Sequence, residues 1–343
     1  MGKKINLSHN LMGCRLDNWL RLKKSNPITA ENKAQARLIT AVSSVLAVPA
    51  FLEWLVFYVP IKRTKIKKDP VYIVGYWRSG TTFLQNLLTR DPQFGWFDPV
   101  RTVTFSNCIF MKGILAKAQK KLLQGARPMD NLEYTLDLPM EEVFAQATIS
   151  TQAISHMLVF PDGGKGVKYI ETAFIDEQDE KRQQEWCKVY DYILKKVTYL
   201  YGGKQLLLKS PENTCRIGAL KKCYPGAKFI NIYRNPYKVV MSTINMFKKE
   251  GIDAVILTHN IDQPFITNME SKNENLKFKR IDADLSDSFK EETSKDELKD
   301  MTEKLSKTFK DALGKENLTV NVEKLKDASI SSMITLSEES RRM

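Results

Sequence analysis

The sequence has few residues of the types that bind metals or build disulfide frameworks. Among its 343 residues are 3 histidines, and His9, His156 and His259 lie far apart, so no histidine-rich metal site is predicted. The 5 cysteines are odd in number and include no C-x-x-C pair. This pattern favours reduced intracellular thiols over disulfides or a metal centre. Lys3 and Lys4 precede a polar stretch, so no cleavable signal peptide is expected.

The last part of the chain lacks tryptophan, tyrosine and cysteine, all of which occur only before residue 251. Charge changes at the same place. The chain as a whole has a net charge of +13, but residues 251–343 carry −4 and residues 1–250 carry +17. Such a shift indicates two units of different origin. The basic first unit suits anionic ligands. Nucleic acid is not expected as a partner, because no aromatic and basic recognition motif stands out.

Residues 69–84 predict a buried strand, a tight loop and the start of a helix. Gly75 and Gly80 have the G-x-x-x-x-G spacing of a phosphate-binding loop, whose backbone N–H groups and helix N-terminus favour an anion. Thr81 stands where such loops usually carry lysine, and Arg78 supplies a positive charge inside the loop instead. This weakens a kinase-like interpretation with ATP and Mg²⁺, although that function remains an alternative.

Two further segments carry a family resemblance together with this loop. Residues 206–214 read LLLKSPENT, and residues 232–242 read IYRNPYKVVMS. The three segments, in this order, resemble the donor-binding motifs of sulfotransferases over roughly residues 30–250. The resemblance implies 3′-phosphoadenosine-5′-phosphosulfate (PAPS) as sulfuryl donor. Independently, the alternation of strands and helices predicts an α/β fold, a P-loop-type parallel sheet with helices on both faces. Ligands then bind outside the carboxyl ends of its strands, where all three segments lie.

The resemblance also implies roles for individual residues. Arg234 and Ser242 would hold the 3′-phosphate, the arginine through charge-assisted hydrogen bonds. The 5′-phosphosulfate would be held by the loop residues Arg78, Ser79, Gly80, Thr81 and Thr82. No metal is expected, because a donor without a triphosphate does not require Mg²⁺.

The catalytic lysine is predicted from its position at a strand end, and the candidate carboxylate bases from the family resemblance. Lys209 ends a strand and would neutralise charge on the bridging oxygen of the donor. The general base is left open among Glu141, Glu142 and Asp98, with His156 as a fourth option that is more often structural. The two glutamates also fit a purely structural role, as acids in the first turn of a helix. The acceptor is unknown: glycan, lipid, protein tyrosine and small alcohol all remain open.

Residues 38–59 form a long apolar stretch within an N-terminal helical segment, residues 1–60. Three interpretations are open: helices packed on the domain, a membrane-surface helix with a basic flank, or a membrane span. Pro49 and Glu53 interrupt the stretch and disfavour the span. The expected location is the cytoplasm, with peripheral membrane contact through residues 38–59 as an alternative.

Beyond the sulfotransferase-like domain, residues 61–250, the sequence resembles part of the bacterial chaperone HtpG. The resemblance is carried by residues 244–262, 277–284, 305–313, 318–323 and 333–343. It implies a smaller α+β unit over residues 251–343, without the chaperone's ATP site and dimer-forming helices. This HtpG-like sequence replaces the usual C-terminal end of a sulfotransferase. The alternative is therefore that the chain is an inactive fusion or a chaperone-class interaction module.

Overall fold

The structure is a computed structural model, and it describes residues 5–122, 135–160, 169–235, 238–239 and 242–243, with two further strands at residues 278–281 and 317–321. Most of the segments that resemble HtpG therefore lie outside the described residues. That resemblance stays a prediction, and the two described strands within residues 251–343 pair into the same sheet as residues 228–233.

The described residues form a parallel sheet of six strands in the order β2-β3-β1-β4-β6-β5. Its strands are β1 (Val71–Val74), β2 (Phe94–Gly95), β3 (Gln205–Lys209), β4 (Lys228–Tyr233), β5 (Phe278–Ile281) and β6 (Asn317–Asn321). All four residues of β1 are buried although successive side chains point to opposite faces, so both faces at the centre of the sheet are covered. This confirms the predicted fold class.

Eight α-helices with described bounds accompany the sheet, and the described residues 238–239 and 242–243 are helical as well. The eight helices are α1 (Leu16–Ser25), α2 (Lys33–Arg63), α3 (Thr81–Leu88), α4 (Pro99–Val103), α5 (Lys112–Leu122), α6 (Glu142–Ile149), α7 (Glu180–Leu200) and α8 (Ile217–Cys223). The main core lies where α7 packs against the sheet. Trp186, Tyr190, Leu194 and Val197 are fully buried and form one apolar face of this helix.

Helix α2 runs without interruption through Pro49. The expectation that Pro49 interrupts this stretch is therefore wrong for the helix. A regular set of side chains faces the protein along its length: Ile39, Ser43, Leu46, Ala50, Glu53 and Ile61 are buried. Glu53 is ion-paired with Lys196 of α7 at 2.6 Å. Packing along this face offsets the hydrogen bond that a proline removes from the helix interior.

The structure also corrects the interpretation of all cysteines as reduced thiols. Cys187 of α7 and Cys223 at the end of α8 form a disulfide, with their Cα atoms 6.3 Å apart. Their separation of 36 residues in the sequence gave no pairing signal. The bond joins the two helices that flank the main core.

Candidate active site

The loop between β1 and α3 leaves the centre of the sheet under tight steric limits. Gly75 has a φ of +146°, and a Cβ atom there would lie 2.3 Å from the carbonyl oxygen of Ile232 in β4. The Gly75 N–H donates to Thr214 Oγ1 at 2.9 Å. Gly80, with a φ of +102°, brings the chain into α3. Both glycines of the spacing motif are therefore required by the backbone path.

Within the loop, local hydrogen bonds fold the chain back on itself. Ser79 Oγ donates to the carbonyl oxygen of Tyr76 at 2.5 Å, and the Ser79 N–H donates to the same oxygen at 3.2 Å. Thr81 and Thr82 open α3, where the first N–H groups of a helix have no intrahelical acceptor. Together with the helix dipole, these N–H groups form a site that suits an anion.

Two of the sequence segments meet at Arg78. Its Nε donates to Ser242 Oγ at 3.0 Å, and its carbonyl oxygen accepts a hydrogen bond from Arg234 Nη1 at 3.3 Å. The structure therefore brings Arg78, Arg234 and Ser242 together, although 164 residues separate Arg78 from Ser242. Two guanidinium groups in one cluster provide planar, permanently charged donors for phosphate oxygens.

The third segment reaches the loop through Lys209, the last residue of β3, which pairs with Ile73 of β1. Its side chain is almost fully buried. The ammonium group lies 3.4 Å from Thr82 Oγ1 and is ion-paired with Glu141. A positive charge thus stands beside the first turn of α3, at the carboxyl edge of the sheet.

The two adjacent glutamates have different surroundings. Glu141 directly precedes α6, keeps 22% of its side chain exposed and is ion-paired with Lys209. Glu142 is fully buried and accepts hydrogen bonds from Tyr190 Oη at 2.9 Å and Asn213 Nδ2 at 2.6 Å. Arg216 in turn donates to Asn213 Oδ1, so Glu142 belongs to a buried polar network beneath the site.

Sequence reasoning missed one acidic residue, Glu212, three residues after Lys209. It is 4% exposed. Burial, together with the negative charges of Glu141 and Glu142, raises the pKa of this carboxyl to about 7, while Arg216 acts in the opposite direction. Its place just beyond a strand end was a usable signal, because it stands in the same segment as Lys209.

Asp98 and His156 have structural contacts. Asp98 caps the N-terminus of α4 by accepting the Arg101 N–H at 2.7 Å, and it is also ion-paired with the Arg101 side chain. Burial raises the pKa of Asp98 against the opposing effect of Arg101. His156 is fully buried, and its Nε2 lies 2.9 Å from the carbonyl oxygen of Ser150. Burial lowers the pKa of this imidazole to about 4.

Known proteins are similar to this chain over the same segments. The model of the sulfotransferase family matches residues 70–271, which extends beyond the predicted domain boundary at residue 250. Two curated relatives are the omega-hydroxy-beta-dihydromenaquinone-9 sulfotransferases Stf3 of Mycobacterium bovis (strain ATCC BAA-935 / AF2122/97) and Mycobacterium tuberculosis (strain CDC 1551 / Oshkosh). Each is 28% identical to this chain over 268 residues, 76% of the chain. The chain spans 66% of the length of these relatives.

Among solved structures, sulfotransferase STF1 of Mycobacterium tuberculosis H37Rv aligns with a TM-score of 0.49 and 14% identity, over 94% of this chain and 80% of that one. Sulfotransferase STF9 of Mycobacterium avium aligns with a TM-score of 0.49 and 13% identity, over 96% and 84%. The family model covers more than half of the sequence, including the loop, Lys209, Arg234 and Ser242. The chain belongs to the sulfotransferase family.

Proposed function

We propose that this protein transfers a sulfuryl group from PAPS to an acceptor hydroxyl. The observation that carries the proposal is the convergence of three distant segments. Arg78 of the loop contacts both Arg234 and Ser242, and Lys209 contacts Thr82. Family membership supports the same activity.

The donor-binding residues fit PAPS by their chemistry. The loop N–H groups and the hydroxyls of Thr81 and Thr82 suit the 5′-phosphosulfate. Arg234 and Ser242 suit the 3′-phosphate, one through a charged fork and the other through a hydroxyl. When bound, PAPS supplies an activated sulfuryl group on a phosphate leaving group.

Lys209 and Glu141 are the proposed catalytic pair. The Lys209 ammonium lies beside Thr82, where it would stabilise negative charge on the leaving phosphate oxygen. Glu141 is the exposed member of its glutamate pair and would accept the acceptor's proton. Lys209 and Glu141 are ion-paired, and donor binding would supply a second anion for Lys209. Glu142, whose Oε1 accepts both of the hydrogen bonds described above, and Asp98, which caps α4, would act as positioning residues.

For the acceptor, the curated relatives give the first compound to test. Their names state omega-hydroxy-beta-dihydromenaquinone-9 as the substrate of those enzymes. At 28% identity, a hydroxylated lipid of this type heads the panel, followed by a small alcohol, a glycan and a tyrosine peptide. Residues 251–343 keep their predicted resemblance to HtpG, and transfer by the full chain would show that the fusion is active.

The test is transfer of radiolabel from ³⁵S-labelled PAPS to each acceptor, with purified full-length chain. Lys209→Ala should lower the rate by about 10²–10³-fold, the cost of removing one preorganised charge from a transition state. Lys204→Ala removes an exposed lysine just before β3 and should leave the rate unchanged. Transfer that is equally fast in wild type and Lys209→Ala would refute the assignment of Lys209. A folded chain that binds no PAPS would refute the function.

A further inference from the structure

We propose that α2 docks the protein on an anionic membrane surface, with its exposed apolar face inserted at the level of the lipid headgroups. This inference goes beyond sulfuryl transfer and does not depend on it. The face consists of large apolar side chains that are 47–75% exposed: Val45, Val48, Phe51, Leu52, Leu55 and Val56. Contiguous exposed surfaces of this kind mark interaction sites in soluble proteins.

The opposite face of α2 is fixed to the protein, which determines how the helix can meet a membrane. Glu53 is ion-paired with buried Lys196 and accepts the N–H groups of Ile109 and Phe110 at 2.8 and 2.9 Å. Only 17% of the most apolar window of the helix is buried. A helix held along one side in this way offers the other side to a bilayer and lies parallel to its surface.

Charge at both ends of the helix complements an anionic bilayer. Between residues 32 and 68, the one acidic side chain is Glu53, which is buried and paired. The exposed basic residues of this stretch are Lys33, Arg37, Lys62, Arg63, Lys65, Lys67 and Lys68. Basic residues that flank an apolar helical face attract negatively charged lipid headgroups, while their aliphatic stems remain in the interface.

The width of the apolar face favours lipid over a second copy of the chain. Successive residues of a helix are rotated by about 100° around its axis. Seen down the axis of α2, the exposed apolar side chains cover an arc of roughly 200°, with Trp54 at one edge and Val56 at the other. A seam between two helices uses a narrower stripe flanked by charged residues. The exposed residues between 38 and 59 include no charged side chain.

A recess beside α2 continues the apolar surface into the protein. It has a volume of about 490 Å³, and its apolar lining includes Phe51 and Trp54 of α2, Ile149 of α6 and Tyr192 of α7. Asp17, Glu53 and Lys196 also line it. Arg15, which is exposed, lies at the same recess. Its volume falls within the usual range for small-molecule sites, so the docking face has depth to take apolar groups from the bilayer.

The experiment is cosedimentation of the purified full chain with phosphatidylcholine vesicles, with and without phosphatidylglycerol. We expect binding to the anionic vesicles. Leu52→Gln/Leu55→Gln should weaken it at least about tenfold, because two exposed leucines no longer enter the apolar layer. Ile114→Gln changes an equally exposed side chain on α5 and should leave binding unchanged.

A second variant tests the attraction between the basic residues and the anionic lipid, and it leaves the apolar face unchanged. Lys65→Gln/Lys67→Gln should lower binding to the anionic vesicles by about fivefold per lysine and leave any binding to neutral vesicles unaffected. The proposal is overturned if wild-type protein stays in the supernatant with both vesicles, or if neither double variant changes sedimentation. Light scattering that shows a dimer, dissociated by Leu52→Gln/Leu55→Gln in the absence of vesicle binding, would assign the face to a second copy instead.

Discussion

The ion pair between α2 and α7 should dominate the stability of the N-terminal half. Glu53 and Lys196 are 1% and 3% exposed, and their charged atoms lie 2.6 Å apart. The second carboxylate oxygen of Glu53 accepts two backbone N–H groups, and Lys196 also donates to the carbonyl oxygen of Phe105 at 2.6 Å. Because both charged groups are buried, removal of one charge leaves the other without compensation.

The expected magnitude follows from this burial. Glu53→Ala should lower the free energy of unfolding by about 3–5 kcal/mol, as measured when one member of a buried pair is removed. For a domain of this size the melting temperature falls by roughly 2–4 °C per kcal/mol, which gives a loss of about 6–20 °C. Replacement of both residues by methionine should be far milder, since neither charge then remains buried.

The assay is urea unfolding followed by circular dichroism, with the melting temperature as a second readout. Asp17→Asn is the control, because Asp17 forms an exposed pair with Arg21 at 2.6 Å and should contribute less than about 1 kcal/mol. A Glu53→Ala loss as small as that of Asp17→Asn would refute the argument from burial. So would a double methionine variant that is less stable than Glu53→Ala.

Two further changes test the site. Burial and the charge of Glu141 raise the pKa of Glu212 to about 7, from an ordinary value of 4.5. Its contribution to stability is therefore complete below about pH 4.5 and is lost as the pH rises through 7. Glu212→Gln should flatten this decline in urea titrations, and an unchanged pH profile would contradict the assignment. Gly75→Ala should lower the free energy of unfolding by about 2–4 kcal/mol, through backbone strain and the clash with Ile232. The control is Gly113→Ala, which should be neutral or stabilising in thermal melts because a Cβ there meets nothing within 4 Å. Equal melting temperatures for the two variants would contradict the loop geometry.

Local patterns predicted the central elements of the sheet well. The pattern of residues 69–84 led correctly to a buried strand, a loop and a helix, which are β1, residues 75–80 and α3. These features depend on a few neighbouring residues: a short apolar run, and glycines where φ must be positive.

Features that depend on distant partners were not predictable. Pro49 reads locally as a break, but packing against α7 keeps α2 continuous. Glu212 stands just beyond a strand end, but its raised pKa arises from burial and from the charge of Glu141, 71 residues away, and both depend on the complete fold. The donor site was predicted through family motifs, because no local sequence pattern indicates that Arg78 contacts Ser242.

Calorimetric titration of 3′-phosphoadenosine-5′-phosphate, the product of PAPS, tests the central claim most directly. The wild-type chain should bind it. Arg234→Ala should weaken binding by more than about 1.5 kcal/mol, or more than about tenfold, through the loss of a charge-assisted contact. Arg21→Ala, which removes an exposed arginine on α1, should bind as the wild type does. Equal affinity of wild type and Arg234→Ala, or no binding by folded wild type, would contradict the donor site.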